Sequence, residues 1–234
     1  DGRSRIASVN AVLVPLFSAL YILAMLFIIL RNAEMFPEAV RRIFTEAFGF
    51  RAAAGGFSAS LLSSALRIGV SKGIFSSEAG MGSSPIAHAA AEGTTPYRQG
   101  LWGVAEIVID TFIVSTLTAF ALLLTGHTEM DAVFRSAFGP AGSYILLAFL
   151  AVFAFASILS WVFYADGCIG FLFGTKKKAV SFVFRLLSVL FVFGGVFLSG
   201  EAVWAAADIF NALMIFPNLF MLFIYRKEIK YGVL

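Results

Sequence analysis

The sequence predicts an all-α, polytopic membrane protein, and three observations carry that prediction. Hydrophobic residues make up 60% of the chain and charged residues 13%, and mean hydropathy is +0.91, whereas soluble domains hold about 25% charged residues. Five stretches each supply the roughly 20 apolar residues that carry a helix across a core of about 30 Å. With the N-terminus placed in the cytoplasm, only Arg31, Arg41, Arg42, Arg51 and Arg135 of the 17 Lys and Arg fall outside. The remainder lie inside, as the positive-inside rule expects.

The five apolar stretches are 11–30, 101–125, 141–165, 180–198 and 202–225. Pro15 is expected in the first turns of its span, where a missing amide donor costs least. Residues 36–91 differ: an amphipathic run at 38–48, the pair Gly55-Gly56, a shorter apolar run and a Gly/Ser-rich tract follow one another. These read as one broken or short span flanked by interfacial helices. The charge count supports a crossing there, because six spans return both ends to the cytoplasm and five do not. All of this forms a single transmembrane domain over 1–234.

The same inventory excludes several function classes. A net charge of +3 sits in short loops, so it marks topology and not nucleic-acid binding. The 27 Phe against 6 Tyr and 3 Trp are bulk suited to acyl chains. One cysteine, Cys168, excludes an internal disulfide, and two separated histidines, His88 and His127, offer no metal centre. No cofactor is expected. A membrane enzyme would need converging nucleophile, base or metal ligands, and neither histidine shows such partners in sequence. The chain opens on Asp1 and enters a span almost at once, which reads as a piece of a longer protein.

Polar residues inside apolar spans are expensive and mark candidate sites. Glu106 and Asp110 lie four apart, with Thr111, Ser115 and Thr118 continuing a polar strip; the hydroxyls can equally bond their own helix carbonyls. Asp208 and Asn211 share a face of the last span, and Pro217-Asn218 is expected to break the helix beyond them. Gly55, Gly56, Phe57 and Ser58 interrupt what would be a span. An unwound helix at membrane depth exposes carbonyls for a cation and amides for a carboxylate, and the alternative is a plain turn. Ser157 and Ser160 are either close-packing residues or oxygen ligands.

The most specific string is Gly73-Ile-Phe-Ser-Ser-Glu-Ala-Gly-Met-Gly-Ser-Ser-Pro-Ile-Ala-His88, followed by Gln99-Gly100. It resembles the signature of the alanine or glycine:cation symporter family of the amino-acid/polyamine/organocation superfamily. The likeness continues through Ile109-Asp-Thr111, Phe155 to Trp161 and Asn211 to Asn218. It implies a leucine-transporter-like fold of two inverted five-helix repeats. The first span would be the fifth helix and the others the second repeat, with helices one to four missing from this chain.

The resemblance further implies sodium as co-substrate, bound by the eighth helix through Ala156, Ser157 and Ser160, and a substrate contact at the Gly55 to Ser58 break with Asp208 and Asn211. Ala156-Ser157 stands where Ser-Thr is expected, so one hydroxyl is missing. Ser77 stands in place of Asn, and Ser160 in place of Gly. Independently of the resemblance, Phe75, Ser76, Ser77, Glu78, Gly80, Gly82 and Ser83 lie near Arg67 and Lys72 in sequence, which favours an inner-surface hairpin or gate over a midplane ligand, and Glu78 could pair there with a basic neighbour. The expected partners are the lipid bilayer, a small amino acid such as alanine or glycine, sodium, and the missing N-terminal helices. The expected location is a prokaryotic cytoplasmic membrane. A channel-like or structural helical subunit is the competing reading of the same polar strips.

Overall fold

The structure, a computed structural model, describes residues 2–48, 56–174 and 177–226. Ten α-helices occur among the described residues: α1 Gly2–Arg31, α2 Phe36–Phe48, α3 Gly56–Ser77, α4 Ser84–Ala89, α5 Pro96–Ile107, α6 Ser115–Thr125, α7 Met130–Phe138, α8 Gly142–Phe173, α9 Lys177–Gly195 and α10 Gly200–Tyr225. A π-helical segment, Val108–Val114, joins α5 to α6. Five helical stretches are long and apolar enough to cross a membrane: Ser8–Arg31, Pro96–Thr125, Met130–Phe173, Lys178–Gly195 and Gly200–Tyr225. They coincide with the five apolar stretches of the sequence. None of their apolar windows is more than 11% buried. Surface this apolar needs lipid or further protein as its solvent, and the chain is a multi-pass membrane protein.

Within 36–91 the described residues form α2, α3 and α4, and none of these three is among the five stretches long and apolar enough to cross a membrane. The 22 residues of α3 are about 33 Å long at 1.5 Å per residue. The Gly55 half of the Gly55-Gly56 pair lies outside the described residues. Two prolines behave differently from expectation. Pro15 lies inside α1, which begins at Gly2, so the Ala11 carbonyl has no amide partner four residues on. Pro217 does not end α10, which continues to Tyr225. Interior prolines are tolerated in membrane helices, where neighbouring groups satisfy the freed carbonyl.

The chain divides into two compact units, 1–70 with 108–160 and 71–107 with 161–234. In the first unit α1, α6, α7 and the start of α8 enclose a core of Met25, Ile28, Ala121, Val133, Phe134, Ala137, Leu146 and Phe149. Phe149 meets Tyr21 edge-on, with centroids 5.5 Å apart. Arg31 ends α1 by donating to the Ala137 carbonyl of α7 at 2.5 Å. Gly142 starts α8 hard against α7, where a Cβ would fall on the Phe134 carbonyl. The amphipathic α2 buries Ala39 and stacks Phe36 on Phe120. On its polar face Arg41 and Arg42 bracket Glu38. Hydrogen bonding to Arg41 holds the Glu38 carboxyl below its usual range.

In the second unit the end of α3, the loop 78–83, α4, α5, the last part of α8, α9 and α10 come together. Asp166 of α8, 3% exposed, is paired with Arg185 of α9. Arg185 counts with the cytoplasmic charges by sequence, yet it stands eight residues into α9, about 12 Å along its axis. A buried carboxylate and a long side chain that reaches it explain a cation at that depth.

Candidate functional site

The residues expected to bind sodium lie on two faces of α8. Ala156 is 5% exposed, and its carbonyl accepts from Asn10 Nδ2 of α1 at 3.1 Å. Ser160 Oγ, one turn on, accepts from the same nitrogen at 3.0 Å. Ser157 is exposed. Asn10 is the one side-chain amide of α1, and the sequence reading passed over it. The signal available was a polar residue at the mouth of a span, which membrane energetics makes costly.

The polar strip is interrupted by helix geometry. The π-helical segment 108–114 shifts the register, so Ser115 Oγ reaches the carbonyl of Asp110 five residues back, at 3.4 Å, as i to i+5 winding demands. Thr118 bonds its own helix at the Val114 carbonyl, 2.8 Å, and shares a 2.9 Å hydrogen bond with Tyr21. Thr111 Oγ1 is buried with no hydrogen-bond partner among the described residues. Asp110, Ser18 and Tyr21 contribute to a mostly apolar cavity of about 380 Å³ closed by Met130, Phe149 and Phe153.

Of the expected substrate contacts, Gly55 lies outside the described residues, and Gly56, Phe57 and Ser58 form the first turn of α3. Asp208 of α10 is engaged elsewhere. Lys72 Nζ sits 3.0 Å and 3.2 Å from its two oxygens, and Ser71 donates to it at 3.3 Å. The Lys72 ammonium also stands 4.2 Å over the Trp204 ring, which Phe75 meets edge-on. Asn211 is half-buried three residues beyond Asp208.

The signature string folds into a tight loop. Glu78 adopts φ 51°, and its carboxylate accepts from Ser83 Oγ at 2.6 Å, so its partner is a hydroxyl and not the expected basic neighbour. Lys72 is already committed to Asp208. Ser77 Oγ accepts from the Ala79 amide at 3.3 Å. Met81 and Ser83 are buried. Asn218, immediately after Pro217, donates to the Gly80 carbonyl at 2.9 Å, and its side chain occupies the space that a Cβ on Gly82 would need. Ser76 lies in the last turn of α3, just before this loop.

Beyond the loop, His88 does have partners, contrary to the sequence expectation. Its Nδ1 lies 2.8 Å from Gln99 Oε1 and its Nε2 3.3 Å from Glu106, which ties α4 to α5. Gly103 packs on the same ring. A cavity of about 530 Å³ lies beside it, bordered by Ser84, Thr94, Thr95 and Gly100. The acceptors are 11 and 18 positions away in sequence, too far for helical periodicity to reveal.

Against known proteins, the sequence pattern described as "Sodium:alanine symporter family" matches residues 1–232. The chain belongs to the sodium:alanine symporter family. It is 39% identical to an uncharacterized transporter of Haemophilus influenzae, over 97% of this chain and 52% of that protein. It is 35% identical to the sodium/alanine symporter AgcS of Methanococcus maripaludis, over 93% of this chain and 49% of that protein. The likeness to the probable sodium/glutamine symporter GlnT of Bacillus subtilis is also 35%, over 97% of this chain and 48% of that protein. The chain spans about half the length of the curated relatives it matches.

Proposed function

We propose that the chain is part of a transporter, not an enzyme, that carries a small neutral amino acid, alanine or glycine, together with sodium by alternating access. The family match over nearly the whole chain carries this reading. Relatives named for alanine and for glutamine support the class of neutral amino acids. In this reading sodium binds beside the Ala156 to Ser160 segment of α8, with Ser157 turned toward the remainder of the protein. The start of α3, at Gly55 to Ser58, receives the substrate: amides at a helix N-terminus favour a carboxylate, and small residues leave room for an alanine-sized side chain. Asp208 and Asn211 line the path on α10.

The movable element in this reading is the loop from Ser77 to Ser83. Its glycines permit backbone rearrangement, while Asn218 and Ser83 hold one arrangement through hydrogen bonds. The whole protein would adopt the five-plus-five inverted repeat, with this chain supplying the second repeat. Uptake of labelled alanine into proteoliposomes holding the full-length protein, driven by an inward sodium gradient, tests the reading. Equal uptake with potassium or choline in place of sodium would refute coupling, and unsaturable flux would favour the channel alternative.

A further inference from the structure

We propose that the side-chain oxygen of Asn10 is a ligand for a monovalent cation on the α1-facing side of α8; this rests on the reading that the protein couples to sodium. The amide of Asn10 has one orientation available. Its nitrogen lies 3.1 Å from the Ala156 carbonyl, and a carbonyl only accepts, so the Nδ2 end must face it. The same nitrogen donates to Ser160 Oγ at 3.0 Å. Asn10 Oδ1 therefore takes part in neither contact, and it is buried with no hydrogen-bond partner among the described residues. A buried acceptor left without a partner is costly. Two contacts anchor the amide, so the oxygen cannot swing to solvent without losing them.

What it awaits follows from the chemistry around it. Amide and hydroxyl oxygens are ligands for hard cations. Ser160 Oγ, after accepting one N–H, keeps a second lone pair. Asn10, Ala156 and Ser160 are all uncharged, so they offset a single positive charge better than a double one. Ala156 supplies no side-chain oxygen, and Ser157 is exposed on a different face. On the face toward α1, the oxygen that would make α8 a cation site comes from Asn10.

The test uses the purified full-length protein, with sodium varied against choline at constant ionic strength and the thermal unfolding midpoint as readout. Sodium stabilises the wild type by mass action if it binds the folded state. Asn10→Ala is expected to raise the half-saturating sodium concentration by about fivefold or more. Asn10→Asp keeps an oxygen but cannot donate to Ala156, and is expected to stay within about twofold of wild type or to bind sodium more tightly. Wild-type sodium dependence in Asn10→Ala, or equal weakening in Ala and Asp, overturns the proposal and leaves Asn10 a clamp between helices. Ser160→Ala serves if Asn10→Ala cannot be purified: it removes the second oxygen, is expected to weaken sodium, and unchanged sodium dependence there counts against the site. No sodium response in the wild type would overturn the sodium reading itself and the site with it. A normal response that Ser157→Ala weakens and Asn10→Ala does not would keep that reading and discard only Asn10.

Discussion

Lys72 and Asp208 join α3 to α10 through one ammonium that contacts both carboxylate oxygens, at 3.0 Å and 3.2 Å, and covers the Trp204 ring at 4.2 Å. The two side chains remain 35% and 43% exposed, so the pair is a modest contributor to stability, about 0.2–1 kcal/mol in an aqueous setting.

Lys72→Met and Asp208→Asn, each alone, leave one unmatched charge beside an apolar ring. Each is expected to reduce the maximal rate of amino-acid uptake several-fold while leaving expression intact. The double variant is expected to recover part of the loss, since residues that act as a pair are not additive. Strict additivity in the uptake rates would show that the two side chains act separately.

Asp166 and Arg185 make a different kind of pair. The Asp166 side chain is 4% exposed against 55% for Arg185, and one carboxylate oxygen is buried without a hydrogen-bond partner among the described residues. Removing Arg185 alone strands the carboxylate, at a cost of about 3–5 kcal/mol. Arg185→Gln should therefore unfold at a clearly lower temperature in detergent, and Asp166→Asn combined with it should regain most of the loss. A double variant no more stable than Arg185→Gln would mean that the carboxylate has another source of stabilisation.

The five apolar spans were legible because long uninterrupted hydrophobic runs leave few alternatives, and all five recur as helices. The ion pairs were not. Lys72 to Asp208 joins helices distant in sequence and Asp166 to Arg185 joins successive helices, 19 positions apart, and no periodicity encodes which helix faces which. The polar strip of Asp110, Thr111 and Thr118 was visible as composition, but the π-helical turn at 108–114 rearranged its faces, and such a turn has no strong local signal. Pro217 illustrates the opposite error: a helix breaker in water sits inside a helix here. Asn10 was hidden because a single amide is ordinary until its two partners on α8 are known.

The signature loop permits a comparison between two glycines. Gly80 and Gly82 share positive φ, 81° and 85°, but among the described residues a Cβ at Gly80 would meet nothing within 4 Å, whereas one at Gly82 would lie 3.1 Å from Asn218 Oδ1. Alanine at Gly80 adds backbone strain alone, of order 1 kcal/mol. Alanine at Gly82 adds that strain and displaces Asn218 from the Gly80 carbonyl. Gly82→Ala should therefore impair uptake more than Gly80→Ala, and Asn218→Ala should resemble Gly82→Ala. Equal effects of the two alanines would remove the role assigned to Asn218.

Topology is open to labelling. In a Cys168→Ser background, an impermeant thiol reagent outside the cell is expected to modify Glu34→Cys and Thr128→Cys and to spare Lys177→Cys. Modification of Lys177→Cys from outside would invert the orientation derived from the basic residues.

The measurement that bears most directly on coupled transport is sodium-gradient-driven accumulation of labelled alanine in proteoliposomes containing the full-length protein, with glycine and glutamine as competitors. Saturable, concentrative uptake that collapses when the sodium gradient is dissipated is expected, with glycine competing and glutamine competing less. Alanine that equilibrates without accumulating, at the same rate with or without sodium, would contradict it.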